Sequence, residues 1–197
     1  HDKYEDIISD LNNNKKIALI SDAGTPGISD PGHVLIKACI NNNIQTQSLP
    51  GATAFVPALV NSGLDTTNFT FYGFLKNRNE KKKQELSKVL SLNSTIILYE
   101  SPFRIIETLK FIDELSPNRT LCVAREISKI HEEYLYGTAS QIIPKVTEKG
   151  EFVIIIDKSE INTVDFSNLT LDEHYNYYKL QGFNKKEIIK KISTDLH

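Results

Sequence analysis

The chain has 197 residues, 40% hydrophobic and 24% charged, with a formal net charge of −2. That length suits one large domain or two small α/β lobes with a real core. No apolar run approaches the roughly 20 residues of a membrane span. The charge balance excludes a basic footprint over the whole chain, so any nucleic-acid contact has to come from local patches.

No signal peptide is visible, and a cytoplasmic setting with no membrane partner is expected. Cys39 and Cys122 lie in apolar runs and read as core thiols, with no metal site. There is no methionine, even at position 1. Residues 2–12 read as the later part of a helix, with Tyr4, Ile7, Ile8 and Leu11 at helical spacing and no cap in front. The natural start is therefore expected upstream of His1.

A strand is predicted at 17–20, then a loop at 21–32 reading SDAGTPGISDPG, which holds three of the nine glycines. Asp30 suits an N-cap and Pro31 the first helical position, so a helix over 32–42 follows. Next come a strand at 44–49, the turn Pro50-Gly51-Ala52-Thr53 and an apolar helix at 53–62 closed by Gly63. Alternating strands and helices predict a mostly parallel first sheet.

The aromatic run FTFYGF at 69–74 predicts a strand. A polar stretch at 76–84 leads into a helix at 80–91. A strand at 95–99 ends in Glu100-Ser101-Pro102, and a helix at 103–115 follows. Strands are predicted at 120–125, ending at Glu126, and at 133–137. A capping box, Thr138 to Gln141, opens a helix at 138–147. A strand at 152–157 closes this lobe, and one hairpin-like pair makes its sheet mixed.

Residues 158–169 read as a linker. Thr170 and Glu173 form a capping box for a helix that Gly182 stops, and Asn184 caps a second helix over 185–196. This is a packed helical hairpin, with a helix-turn-helix as the competing reading. The fold class is α/β, two-lobed, with 1–68 in an N-terminal lobe, 69–158 in a second lobe and 159–197 as linker and helical tail.

The 21–32 loop is not a Walker loop, because no Gly-Lys-Ser/Thr follows. A Rossmann loop requires an acid at the end of the next strand, and 44–49 (IQTQSL) has none. Two accounts remain: a tight turn with no ligand, or an adenosyl-ligand pocket built from loops of two lobes. Pro50 to Ala54, Tyr99 to Pro102, Ala124 to Glu126 and Lys149 to Glu151 each lie at a predicted strand end. Small and polar groups repeated there point to one cleft lined by several loops.

SDAGTPGISDPG, LPGATA, ILYESPFRIIETL, AREISKIHEE followed by YGT, and KGEFVIII resemble, in order and spacing, the ribosomal RNA small subunit methyltransferase I family. That family is tetrapyrrole-methylase-like (class III) and uses S-adenosylmethionine. The resemblance covers roughly residues 1–157. It implies methylation of a cytidine ribose 2′-hydroxyl in 16S rRNA, within the small ribosomal subunit, by a homodimer. Family members begin with a strand and a Pro-x-x-x-Gly-Asn-Leu-type loop that this sequence does not contain.

Carried over by position, Ala23, Gly24, Thr25 and Ile28 are expected near the methionine part of the cofactor. Thr53, Ala54 and Glu100 are expected near its adenosine and ribose. Ser101, Arg125, Glu126 and Gly150 complete the cleft. The ribose hydroxyl is a poor nucleophile while protonated, so a base or strong acceptor helps. Glu126, His131, Glu132 and Glu133 are candidates, with Glu126 favoured because it ends a strand facing the cleft. Arg125 and Glu126 could instead form a structural pair. Lys76, Arg78, Lys81, Lys82 and Lys83 form the basic cluster expected to meet RNA phosphates. A second cluster (Lys185, Lys186, Lys190, Lys191) lies on the last helix. Two alternatives stay open: a related methyltransferase acting on a small molecule or protein, and a non-catalytic RNA- or ribosome-binding fragment.

Overall fold

The computed structural model describes residues 2–22, 24–76, 79–158, 169–180 and 185–195. It divides into two compact units, 1–159 and 160–197.

The first unit opens with α1 (Asp2–Asn12), α2 (Gly32–Asn41) and α3 (Phe55–Ser62). Gly63 ends α3 in the left-handed region, φ 70°, where the absence of a Cβ removes the steric penalty. β1 (Phe69–Phe74), α4 (Asn79–Leu90), β2 (Thr95–Glu100), α5 (Ile105–Leu115), β3 (Leu121–Arg125), β4 (Glu133–Gly137), α6 (Ala139–Ile142) and β5 (Phe152–Ile156) follow. A 3-10 turn, Ile143–Lys145, shortens the helix expected over 138–147.

The strands form one sheet of five in the order β1-β2-β5-β3-β4. β1 and β2 are parallel, and the β2–β5, β5–β3 and β3–β4 pairs are antiparallel. The mixed sheet expected for this part is therefore present, with β3 and β4 as its hairpin-like pair. Strands β2, β3 and β5 are buried along almost their whole length because both faces are covered, which is why their sequences read as continuous apolar runs rather than alternating ones. On one face Ile96, Leu98, Leu121, Val123, Ile154 and Ile156 pack with Leu86, Val89, Leu109 and Ile142 from the helices. On the other, Ile97, Cys122, Ala124, Val153 and Ile155 pack under Ala58 and Leu59 of α3. Both cysteines are free and buried, as expected, and burial pushes the Cys122 thiol up to about 12.

The expected first sheet requires correction. Residues 15–20 and 44–51 have no strand partner among the described residues. Lys15 N donates to Asp10 O and Ile44 N to Cys39 O, closing α1 and α2, but neither segment joins a strand ladder among the described residues, and their apolar side chains are left open, with Ile20 85% and Leu49 72% exposed. An apolar run becomes a strand only where neighbours take its backbone groups, and isolated short pairs are marginal in water.

In the second unit, α7 (Leu171–Leu180) and α8 (Lys185–Asp195) pack on each other. Lys191 Nζ stands 5.2 Å from the centre of the Tyr178 ring. The Thr170 capping box forms, with the Glu173 carboxylate accepting from Thr170 N at 2.9 Å and Glu173 N donating to Thr170 Oγ1 at 3.3 Å. Of the linker expected at 158–169, residues 159–168 lie outside the described residues, as do the Gly182 stop and the Asn184 cap.

Candidate functional site

The strand register places several of the expected motifs at one end of the sheet. Phe74 pairs with Tyr99, Glu100 with Phe152, Phe152 with Arg125, and Arg125 with Glu133. The loops after β1, β2 and β3 and the loop before β5 therefore leave the same edge. Such an edge is where open α/β sheets carry ligands.

The glycine-rich loop reaches this edge through Ser29. A Cβ on Gly73 would stand 2.9 Å from Ser29 Oγ, and Gly73 has φ +76°. β1 is bulged at this point, between Phe71 and Gly73, so glycine is required twice, for the turn of the bulge and for the close approach. Asp30 shapes the loop: its carboxylate accepts from Gly32 N at 2.7 Å and from Gly27 N at 2.8 and 2.9 Å. One carboxylate thus holds both the first turn of α2 and the middle of the loop.

Thr25 Oγ1 donates to Ala52 O at 3.1 Å, and a Cβ on Gly24 would lie 3.3 Å from that same oxygen. The loops 21–32 and 50–54 are therefore one surface. Gly24, Ile28 and Ala54 are exposed on it, and Thr25 and Thr53 are half-buried. Ala23 lies outside the described residues. Below them Phe55 stacks on Phe71, with ring centres 4.7 Å apart, and Tyr99 meets Phe71 and Phe74 edge-on at 5.0 and 5.5 Å.

Glu100 is turned inward, which corrects its expected place beside a ribose. Its side chain is 1% exposed and lies 3.2 Å from Lys82 Nζ. Glu100 Oε1 accepts from Ser101 N and Arg104 Nε, each at 2.9 Å. Oε2 accepts from Thr108 Oγ1 at 2.6 Å. Arg104 Nη2 adds a contact to Oε1 at 2.8 Å. These donors use the acceptor capacity of a carboxylate. What Glu100 does is fix the Ser101 backbone where the chain leaves β2.

Lys82 also requires correction. Its side chain is fully buried, and its Nζ lies 3.0 Å from Glu107 as well as close to Glu100, so it has no surface to offer a phosphate. Lys82, Leu86, Val89 and Leu90 are the buried residues of α4. Their spacing is the apolar stripe of a helix, a signal that was present in the sequence. Lys83 is paired with Glu114 at 2.6 Å and lies 6.0 Å over the Phe111 ring. Lys76 and Lys81 are exposed, and Arg78 lies outside the described residues.

Glu126 stands at the end of β3 with φ 51°. Its Oε1 accepts from Lys129 Nζ at 2.9 Å and Glu151 N at 3.0 Å. The Lys129 bond first, then the backbone bond, holds the carboxyl below the usual carboxylate range. The Glu126 carboxylate also fills the space a side chain at Gly150 would need. Arg125 pairs with Glu133, not Glu126, at 3.0 Å across the β3–β4 register. His131 and Glu132 are exposed, and Glu132 accepts from Ser128 N at 2.6 Å. Two fastenings were not visible in the sequence: Asn61 Nδ2 donates to Tyr134 OH at 3.0 Å, and Tyr136 OH donates to Asn61 O at 2.9 Å. They tie α3 to β4.

Among the described residues no group of His, Cys, Asp and Glu could hold a metal ion, and no helix is long and apolar enough to cross a membrane.

Residues 2–143 match the family model for tetrapyrrole (corrin/porphyrin) methylases. A relative from Bacillus subtilis, named ribosomal RNA small subunit methyltransferase I, is 40% identical over 197 residues, covering 96% of this chain and 68% of its own. One of the same name from Halalkalibacterium halodurans is 39% identical over 196 residues, with the same coverages, 96% and 68%. Among solved structures, the methyltransferase CobJ superposes with TM-score 0.60 at 17% identity, over 80% of this chain and 71% of that one. A Thermus thermophilus uroporphyrin-III C-methyl transferase complexed with S-adenyl homocysteine gives 0.53 at 13%, over 79% and 74%.

Proposed function

The chain belongs to the ribosomal RNA small subunit methyltransferase I family of tetrapyrrole methylases, and we propose that it transfers a methyl group from S-adenosylmethionine to the ribose 2′-hydroxyl of a cytidine in 16S rRNA. The observation that carries this reading is the single surface made by the loops 21–32 and 50–54, brought through Ser29 to the sheet end where Ser101, Glu126 and Gly150 lie. We place the reaction in the cytoplasm, on the small ribosomal subunit, with the enzyme as a homodimer.

The residues fit the cofactor. Gly24, Thr25, Ile28, Thr53 and Ala54 offer backbone groups and small side chains where a ligand can approach closely. Ser101 and Gly150 bound the other side, and Ala23 belongs with Gly24 by sequence. S-adenosylmethionine supplies a methyl group on a sulfonium centre. The chain has to align the ribose oxygen with that methyl–sulfur axis and exclude water. Glu126 takes both of its hydrogen bonds on Oε1. That leaves Oε2 to accept the ribose hydroxyl. Because its carboxyl is held below the usual range, it is ionised at neutral pH and serves better as an acceptor that orients the hydroxyl than as a strong base.

The test is methyl transfer from labelled S-adenosylmethionine to small-subunit rRNA, free and in 30S particles, with the product mapped by alkaline hydrolysis. Label in an alkali-resistant cytidine dinucleotide is expected. Label on a base, or on tetrapyrrole or protein in preference to rRNA, would overturn the reading.

A further inference from the structure

Two apolar side chains at the site's edge of the sheet stand almost wholly in water: Phe103 and Ile130, each 94% exposed. Phe103 lies in the loop after β2, and Ile130 lies in the loop between β3 and β4. Only β5 runs between the strands these loops leave, so their bases are about 10 Å apart, two strand spacings.

Both loops are built to hold their shape. In the first, Ser101 N and the Arg104 guanidinium bond the buried Glu100, Arg104 N donates to Ser101 O at 3.1 Å, and Arg104 Nη1 donates to Leu75 O at 3.3 Å. In the second, Glu126 and Ser128 have φ 51° and 66°, a conformation that costs a residue with a side chain. It is held by Glu126 N to Glu151 O at 3.0 Å, Lys129 N to Glu126 O at 2.9 Å, Glu132 N to Lys129 O at 3.1 Å, and Ser128 N to Glu132 Oε2 at 2.6 Å. A fixed loop that points a large apolar group into water has paid its ordering cost before any partner arrives.

We propose that Phe103 and Ile130 contact RNA bases, Phe103 as a stacking platform and Ile130 as an apolar wedge, and so separate the target nucleotide from its neighbour. The proposal rests on the rRNA reading above. Aligning one ribose hydroxyl with the methyl–sulfur axis is easier on a nucleotide freed from its neighbours, and aromatic and apolar side chains replace the stacking lost when it is freed. The charged groups beside them, Lys129 with Glu126 and Glu151, and Arg104 with Glu100, are already paired. Phe103 and Ile130 therefore offer base faces a partner, and phosphates are left to exposed cations of the same edge such as Lys76 and Lys149. A second copy of the chain fits less well: two side chains on separate loops fall far short of the roughly 800 Å² per partner of a standard interface.

The experiment is binding of the full chain to a small-subunit rRNA transcript and to 30S particles across a series of salt concentrations. Phe103→Ala is expected to weaken binding about tenfold, as loss of one base stack does. Ile130→Ala should weaken it less. The slope of log affinity against log salt should stay unchanged, because no phosphate contact is lost. Phe103→Tyr should restore binding and Phe103→Leu should not. Wild-type binding with Phe103→Ala equally tight would overturn this proposal alone. A Phe103→Ala variant that changes the oligomeric state at unaltered RNA affinity would overturn it in favour of a protein interface. A wild-type chain that binds no small-subunit rRNA would overturn both this proposal and the reading beneath it.

Discussion

Ile17-Ala18-Leu19-Ile20 and Thr95-Ile96-Ile97-Leu98-Tyr99 read alike as strands, yet the molecule treats them in opposite ways. In the second, Ile96 and Ile97 are fully buried, with β1 and β5 on either side. In the first, Leu19 is 41% and Ile20 85% exposed, and no strand pairs with them among the described residues. Composition sets what a segment can bury. Pairing on both edges and cover on both faces decide whether it does. The same contrast runs through charge: Lys81 and Lys82 are neighbours, one exposed and one completely buried against Glu100 and Glu107.

The largest effect tests the buried side of that contrast. Glu100→Ala leaves Lys82 buried without its closest enclosed partner and frees Arg104 and Ser101 N. It is expected to destabilise the chain by about 3–5 kcal/mol, the cost of breaking a buried ion pair, read from urea unfolding. Lys81→Ala should move the same curve by no more than about 0.5 kcal/mol. Equal costs would break the distinction between the two lysines.

The next compares like with like in the two apolar runs. Ile97→Ala removes packing from the face under α3 and should cost about 2–5 kcal/mol. Ile20→Ala should stay within about 0.5 kcal/mol, as surface changes do. If Ile20→Ala were as costly as Ile97→Ala, the 15–20 segment would be packed in solution.

A smaller effect is expected at Gly150, where φ is +86° and a side chain would meet the Glu126 carboxylate. Gly150→Ala should cost about 1–3 kcal/mol. It should also release the Glu126 bond to Glu151 N. S-adenosylmethionine binding, followed by calorimetry, should weaken with it. Intact affinity with lost stability would place Gly150 in the fold and outside the cleft.

Most elements from residue 69 onward were legible because period, caps and turns agreed. FTFYGF formed a strand over 69–74 as read, and the Thr138 box capped its helix through Gln141. The strand-end motifs were legible as a set because parallel and hairpin topology fixes which ends meet. Side-chain direction was not. Arg104 and Thr108 are four residues apart at the start of α5, but Glu100 ends β2, and its meeting them depends on how the chain turns from β2 into α5. A short acid beside a cleft invites a ligand role, and only the geometry shows five donors converging on it. Lys82 was misread because its charge outweighed its place on the stripe. The strands expected at 17–20 and 44–49 failed for a non-local reason, since no feature within a strand reports whether its edges find partners.

The smallest effect lies at the start of the sheet, on the side of the contrast where pairing begins. Asp65 precedes β1. Its Oδ1 accepts from Thr67 N at 2.9 Å, its Oδ2 from Lys158 Nζ at 3.0 Å, and its backbone oxygen from Thr95 Oγ1 at 2.7 Å. It therefore clips the turn into β1 to the residues after β5. The Thr67 backbone bond, then Lys158, lowers its carboxyl from 3.8 to about 2. A carboxyl depressed in the folded state stabilises it above the unfolded value, and that contribution fades as the pH falls from about 4 towards 2. Asp65→Asn removes the titration while keeping the shape. Thermal unfolding followed from pH 7 to pH 2 should show the wild type more stable than Asp65→Asn above pH 4, with the two curves converging below it. Asp65 is half-buried and its partner Lys158 is exposed, which keeps the difference small and salt-sensitive. Curves that stay parallel to pH 2 would mean that the carboxylate charge holds nothing, and that hydrogen-bond shape alone clips the turn before β1.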